Sequence, residues 1–179
     1  YSVRFAGRES RIEEPFANDI HEVVDEIVCA LLPIVQDKPF AFFGHSMGSL
    51  IAFMTALHLK EKYKLEPMHL FMSSVTPPYS KAWISLPKPD DLSEEQFRSY
   101  LVDFGGTPKD FIESQEIIQQ SFPIVLADLR VISTIRKDME AWKTVTSGSF
   151  DLHVLPGNHF HLREPVNEEF IRNYVTKCL

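Results

Sequence analysis

The stretch PFAFFGHSMGSLIAFMTAL, residues 39–57, decides the fold of this chain. It opens with FAFF, a continuous apolar run of strand length, and closes with an apolar segment long enough for a helix. Such a run predicts a strand that is buried on both faces, as in a parallel sheet covered by helices. Between the two segments lies Gly44-His45-Ser46-Met47-Gly48, which predicts a sharp turn from strand into helix.

Ser46 at such a turn is a candidate nucleophile. The strained turn projects the Ser46 hydroxyl into a pocket, and flanking glycines remove Cβ atoms that would collide with the neighbouring strand and helix. The hydroxyl would lie at a helix N-terminus, whose N–H groups favour developing negative charge. We therefore predict the backbone N–H of Met47 as an oxyanion-hole donor. The alternative is that Ser46 belongs to a purely structural turn.

The elements around this stretch predict an α/β fold. Apolar residues recur at helical spacing over residues 20–34, and Asn18 or Asp19 can cap that helix. Strands and helices alternate, which favours a mostly parallel sheet flanked by helices. The predicted elements are strands at YSVRF (1–5), FAFF (40–43), MHLFMSS (68–74) and FDLHVL (150–155), a helix from about Met47 to about Tyr63, and a terminal helix in VNEEFIRNYVTKCL (166–179).

Residues 76–135 differ in character from the rest. A proline-rich stretch is followed, from Leu92 to about Ile135, by helical patterns alone. Ser93 and Gln96 match a capping box at the first of these helices. A helical insertion between strands is a candidate lid, although it could also be additional packing. We predict a single domain over residues 1–179, with 77–136 as a helical lid insertion.

His159 is the candidate base for Ser46. A serine hydroxyl needs a base, and on this type of fold the histidine comes last in the chain, in a loop after a late strand. His159 in LPGNHFHL occupies that place, and Gly157 suits a tight turn before it. His161 remains an alternative, because residues two apart in an extended segment point the same way. We expect His45, beside the nucleophile, to pack or hydrogen-bond near the turn.

Composition narrows the possible partners and location. The chain of 179 residues has a formal net charge of -7 and no basic cluster, which disfavours nucleic acid as a partner. The apolar runs are too short to span a bilayer. Cys29 and Cys178 fall in helical patterns, which favours a reduced intracellular compartment, so we expect a cytoplasmic (cytosolic) protein. We expect no cofactor and no metal.

Five motifs together are more specific than the serine turn alone. They are GRESRIEEP (7–15), FFGHSMGSLIAF (42–53), LFMSS (70–74), the pair LSEEQ and DFGGTP (92–108), and LPGNHFHL (155–162). With them the chain resembles the type II thioesterases, stand-alone α/β-hydrolases that release acyl chains from an acyl carrier protein. It is most similar to the branch that acts with the animal type I fatty acid synthase.

The resemblance implies a substrate and two catalytic residues. The substrate is the thioester that links an acyl chain to the phosphopantetheine arm of the synthase's acyl carrier protein, and the product is a free, medium-chain fatty acid. The family's serine corresponds to Ser46 and its histidine to His159. The acyl tunnel would be lined by apolar residues of the insertion, although helix packing explains each of them equally well: Phe97, Leu101, Phe111, Ile117, Ile118, Phe122 and Leu126.

Two parts of the family pattern have no match. The family begins with a strand and a Phe-Pro-x-x-Gly-Gly loop that supplies the other oxyanion donor. Its acid follows a strand ending in Gly-x-x-Asp, but here a segment of roughly 20 residues is missing near Arg136. We expect these 179 residues to be the ordered part of a longer chain; a natural or engineered splice is the alternative. Asp128 and Asp138 fall in helical patterns and Asp151 precedes the histidine, so we assign the acid to none of them.

Two other functions remain open on the sequence alone. A general serine esterase or lipase would share the same turn and histidine. A catalytically broken hydrolase that retains an acyl-binding pocket would explain the missing acid, if the chain is complete.

Overall fold

The computed structural model describes residues 1–75, 89–135, 151 and 153–179. Most of the proline-rich stretch, the helix pattern around Asp138 and parts of the predicted strand at 150–155 lie outside these ranges. The chain divides into two compact units. The first contains the described residues up to Asp91 and those from Ile124 to Ile135, and the second contains Leu92–Pro123 and the described residues from Asp151 onward. The single domain with an insertion at 77–136 stays a prediction.

Helices dominate the described part of the chain, around one pair of strands. Short 3-10 turns lie at Glu9–Arg11, Pro89–Asp91 and His161–Arg163, and a π-helical turn lies at Leu59–Tyr63. The helices are α1 (Ile20–Val35), α2 (Met47–His58), α3 (Glu94–Phe104), α4 (Lys109–Glu113), α5 (Gln115–Thr134) and α6 (Pro165–Cys178), and the strands are β1 (Ala41–His45) and β2 (His69–Ser73).

Helix α1 begins as predicted. The Asp19 carboxylate accepts the backbone N–H groups of His21 and Glu22 at 2.8 and 3.0 Å, which satisfies donors that have no partner within the helix. The apolar stripe is buried and packs against α2. The core of the first unit consists of Ile20, Val23, Val24, Ile27, Val28, Leu50, Ile51, Phe53, Met54, Leu59, Val131 and Ile135.

The two strands are parallel, as the sequence predicts. Their register pairs Ala41 with His69 and His45 with Ser73, so both strands end at the same edge of the sheet. Helix α2 starts at that edge, directly after β1. This strand–helix–strand arrangement confirms the α/β reading and positions the serine turn at the carboxyl end of β1.

Three strand predictions are wrong in detail. Residues 1–5 and the described residues of 150–155 are not strands, and β1 is not buried on both faces because Phe43 is 48 % exposed. A strand exists through hydrogen bonds to a neighbour. Among the described residues, only β1 and β2 supply such a ladder to each other.

The second unit is built around α3. Ser93 caps this helix in a full capping box with Gln96, as predicted, and Phe97 is completely buried against Phe122 with ring centroids 5.3 Å apart. Ile118 is also completely buried. This burial favours helix packing over tunnel lining for Phe97 and Ile118.

Candidate active site

Ser46 lies on a strained turn between β1 and α2. Its backbone has φ 55° and ψ -123°, a conformation that side-chain-bearing residues rarely adopt and that clusters at functional sites. Two hydrogen bonds hold it there: its N–H donates to the Ser73 carbonyl at 2.8 Å, and its carbonyl accepts the Ser49 N–H at 3.0 Å. The Ser46 hydroxyl does not cap α2, so the backbone bonds rather than the side chain maintain the turn.

The two glycines that flank Ser46 differ in how much room a side chain would have. A Cβ on Gly44 would lie 2.4 Å from the Gly48 carbonyl oxygen and 2.5 Å from the Ser49 Cα, so β1 and α2 approach too closely for any side chain. A Cβ on Gly48 would meet no described atom within 4 Å beyond its chain neighbours and the backbone of its own helix. The expected collision is therefore confirmed for Gly44, whereas no described atom supports it for Gly48.

Ser49 is a structural centre of the turn that the sequence analysis missed. It is completely buried, and its hydroxyl donates to the Gly44 carbonyl at 2.8 Å and accepts the Ser73 N–H at 3.1 Å. One side chain thus ties α2 to the ends of both strands. The only sequence signal was a serine, rather than an apolar residue, on the first turn of a mostly apolar helix.

His45 has the predicted supporting position. Its Nδ1 lies 3.1 Å from the Ser73 hydroxyl, on the neighbouring strand. The imidazole therefore bridges the ends of β1 and β2, where it supports the turn beside Ser46.

Met47, the predicted oxyanion donor, borders a small cavity in the first unit. The cavity volume is about 20 Å³, enough for one water molecule but not for an acyl chain. Arg8 and Asp128 also line the cavity and form a bidentate ion pair. Two guanidinium nitrogens of Arg8 donate to the two carboxylate oxygens of Asp128 at 2.8 and 3.2 Å. Burial raises the pKa of the Asp128 carboxyl, and the hydrogen bond from Arg8 opposes that rise. The GRE motif is therefore fixed to α5 beside the start of α2.

His159 lies in a loop of the second unit that is tightly held. Gly157 has φ +114°, which only glycine adopts readily, as the sequence suggested. The buried Asn167 amide of α6 donates to the carbonyls of Pro156 and His161, both at 2.9 Å, one on each side of His159. Since His161 begins a 3-10 turn, the two histidines are not on an extended segment.

Two of the three aspartates that were not assigned as the catalytic acid have other partners. Asp128 is paired with Arg8, and Asp151 accepts a hydrogen bond from the Tyr174 hydroxyl at 2.9 Å. That hydrogen bond raises the pKa of Tyr174 to about 12. Asp138 lies outside the described residues.

The predicted site residues belong to both units. Ser46 and Met47 adjoin one another at the turn of the first unit, and His159 belongs to the second. Their joint roles as nucleophile, oxyanion donor and base stay predictions. Within the described ranges, no group of three or more His, Cys, Asp or Glu side chains could hold a metal ion, and no helix is long and apolar enough to cross a membrane.

Known proteins resemble this chain along its whole length. The family model described as "Thioesterase domain" matches residues 1–141. The human S-acyl fatty acid synthase thioesterase, medium chain, is 54 % identical and aligns with 100 % of this chain and 76 % of its own length. The enzyme of the same name from Rattus norvegicus is 50 % identical, over 100 % and 77 %. The chain belongs to the thioesterase family.

Solved structures show which fold this thioesterase has. Human thioesterase 2 superimposes with a TM-score of 0.71 at 49 % identity, over 88 % of this chain and 80 % of that one. The RedJ thioesterase of the prodiginine pathway in Streptomyces coelicolor gives a TM-score of 0.80 at 26 % identity, over 99 % and 78 %. The predicted α/β-hydrolase fold and the membership among type II thioesterases, which are hydrolases, are confirmed.

The alignment also bears on the predicted internal gap. It extends over 202 positions with the human relative, against 179 residues in this thioesterase, a difference of 23 positions. The difference is close to the length of the segment, about 20 residues, that is predicted to be missing from comparison with the family motifs. The location of the gap and the identity of the acid stay predictions.

Proposed function

We propose that this thioesterase hydrolyses the thioester between an acyl chain and the acyl carrier protein of fatty acid synthase, releasing a medium-chain fatty acid. The conformation of Ser46 carries the proposal, because φ 55° at a strand-to-helix turn leaves its hydroxyl outside the capping role. The substrate is suggested by the names of the human and rat relatives, which are fatty acid synthase thioesterases of medium chain.

The proposed reaction has two steps. In the first, His159 takes the proton of the Ser46 hydroxyl while the oxygen attacks the thioester carbon; the carbon–sulfur bond breaks, and His159 gives the proton to the leaving thiol. In the second, His159 takes a proton from water, which attacks the acyl-serine ester; the fatty acid leaves and the proton returns to Ser46. The Met47 N–H stabilises the oxyanion in both steps.

Substitution of the two catalytic residues tests the proposal. In the full-length protein, Ser46→Ala and His159→Ala should each abolish hydrolysis of a decanoyl thioester on the carrier protein, measured as released thiol. His153→Ala, which alters another histidine of the second unit, and His161→Ala, which alters the alternative base, should leave most of the activity. Full activity in either of the first two variants contradicts the assignment.

A comparison of substrates tests the choice of thioester. The rate should be highest on decanoyl carrier protein, lower on decanoyl-CoA and lowest on a simple decanoyl ester. A fastest rate on the simple ester would instead indicate a general esterase, and tight acyl binding without turnover would indicate an acyl-binding module.

A further inference from the structure

Phe104 touches the proposed base directly. The centroids of the Phe104 ring and the His159 imidazole are 4.0 Å apart, with planes inclined by 59°. Aromatic pairs usually lie about 4.5–7 Å apart, so this contact is tight. The Phe160 ring also adjoins the imidazole, with centroids 5.4 Å apart and planes inclined by 83°. The imidazole therefore cannot turn far about its own axis without meeting the Phe104 ring.

The backbone of the histidine loop has its own supports, which do not involve Phe104. Asn167 holds the loop on both sides of His159, and the Asn158 side chain accepts the Phe160 N–H at 2.9 Å. Phe104 therefore acts on the orientation of the imidazole, whereas Asn167 acts on the position of the backbone.

The motif DFGGTP brings Phe104 to this place. Phe104 is the last residue of α3 and packs on Tyr100 with ring centroids 5.1 Å apart. The next two residues are glycines with φ +74° and +79°, and a Cβ on Gly106 would lie 2.5 Å from the Asn158 Oδ1. The chain after α3 thus runs against the histidine loop, where a side chain at Gly106 would have to displace the Asn158 side chain.

We propose that Phe104 is a positioning residue that holds the His159 imidazole in the orientation needed to take the Ser46 proton. The proposal rests on the proposed role of His159 as the base. It gives the end of α3 a role in orienting the base, separate from the predicted role of the helical insertion as a lid. Proton transfer depends steeply on geometry, and a misplacement of about 1 Å can cost on the order of 100-fold in rate.

Two substitutions at Phe104 separate orientation from packing. Phe104→Leu keeps apolar bulk but removes the flat ring, and should lower kcat for decanoyl-CoA by about 10- to 100-fold with KM unchanged. Phe104→Tyr keeps the ring and should retain kcat within about threefold. Thermal unfolding of each variant establishes that it is folded.

A matched control comes from a similar contact in the same unit. Phe170 lies on α6 with its ring centroid 5.2 Å from His153, a histidine outside the proposed mechanism. Phe170→Leu removes an aromatic–histidine contact of the same kind, and we expect kcat to stay at the wild-type value.

The outcomes distinguish this proposal from the proposed function. Wild-type kcat in Phe104→Leu overturns it, as does an effect confined to KM, which would make Phe104 an acyl-binding residue. An equal loss in Phe104→Leu and Phe104→Tyr also contradicts it, because the tyrosine retains the ring. If His159→Ala is inactive while Phe104→Leu is fully active, only the positioning role fails. If His159→Ala is active, the assignment of the base fails as well.

Discussion

The serine turn and the histidine loop are held by different kinds of interaction. The turn at Ser46 is fixed by backbone hydrogen bonds at the end of a parallel strand pair, reinforced by the buried Ser49 hydroxyl. The loop at His159 has no strand ladder within the described residues; the amide of Asn167 and the ring of Phe104 hold it instead. Strand pairing with one buried hydroxyl fixes the first site, whereas side chains from α3 and α6 reach the second and add to the backbone hydrogen bonds of its own turn.

This difference has a consequence for tolerance to substitution. At the turn, substitutions should be most harmful where the backbones of β1 and α2 approach each other, because any added side chain would collide there. At the loop, the sensitive positions should be the few side chains that reach it from α3 and α6. The following predictions test this contrast, from the largest effect to the smallest.

Gly44→Ala should have the largest effect. Its Cβ would lie 2.4 to 2.5 Å from backbone atoms of Gly48 and Ser49, which cannot give way without moving the whole helix. We expect the free energy of unfolding to fall by more than about 3 kcal/mol, measured by urea denaturation. Gly48→Ala is the matched control: its Cβ meets no described atom outside its own helix, and alanine in a helix should stabilise by up to about 1 kcal/mol. Equal losses in both would contradict the close-approach explanation.

Asn167→Asp tests the histidine loop with a side chain of the same shape. The change replaces the donating NH2 with an oxygen that faces the carbonyls of Pro156 and His161 in a buried site. We expect a loss of about 2 to 3 kcal/mol in the free energy of unfolding, together with a lower kcat. Asn173→Asp, at an exposed position of the same helix, should change stability by less than about 0.5 kcal/mol. An unaffected Asn167→Asp variant would show that the loop is held by something else.

Ser49→Ala tests whether one hydroxyl locks the turn. Its removal leaves the buried Gly44 carbonyl and Ser73 N–H without this partner, which should cost about 2 kcal/mol of unfolding free energy. Ser133→Ala removes an exposed hydroxyl that donates to the Arg130 carbonyl of its own helix, and should cost less than about 0.5 kcal/mol. The two variants together show how much burial contributes to the difference.

Arg8→Met should lower the free energy of unfolding by about 1 kcal/mol at neutral pH, the smallest of these effects. It should also change how that free energy depends on pH. Burial already raises the folded-state pKa of Asp128 above its unfolded value, and loss of the Arg8 hydrogen bond raises it further. Between the unfolded and folded pKa values the folded state holds more protons, so stability falls as pH rises through that window. In Arg8→Met the decrease in unfolding free energy should extend to higher pH, as measured by denaturation over a range of pH. Asp128→Asn should abolish this decrease. If the decrease persists in Asp128→Asn, it belongs to another titratable group.

The sequence predicted the helices and the two paired strands better than the remaining strands. Local signals were sufficient to locate α1 with its Asp19 cap, β1 and β2, and the Ser46 turn, because hydrophobic patterns and short motifs mark each of them. The strand at 1–5 and the described part of the strand at 150–155 were predicted wrongly, because a strand also needs a partner and the pattern of a segment does not state whether one is present.

The residue types of the proposed site were readable from the sequence, but their supports were not. Ser46 and His159 belong to motifs that indicate a specific reaction, and Gly157 predicts the turn before the histidine. Ser49 and Asn167 carry no such signal. A buried hydroxyl and a buried amide become important only when the chain brings distant carbonyls to them.

The sequence by itself determined the α/β class, the strained serine turn and the family, because these follow from hydrophobic periodicity and short motifs. Only the tertiary structure decided that a side chain at Gly44 would collide with α2, and that Phe104 faces His159 from 55 residues away in the chain. Close backbone approaches and ring contacts depend on how segments are arranged in space, so no local sequence pattern encodes them.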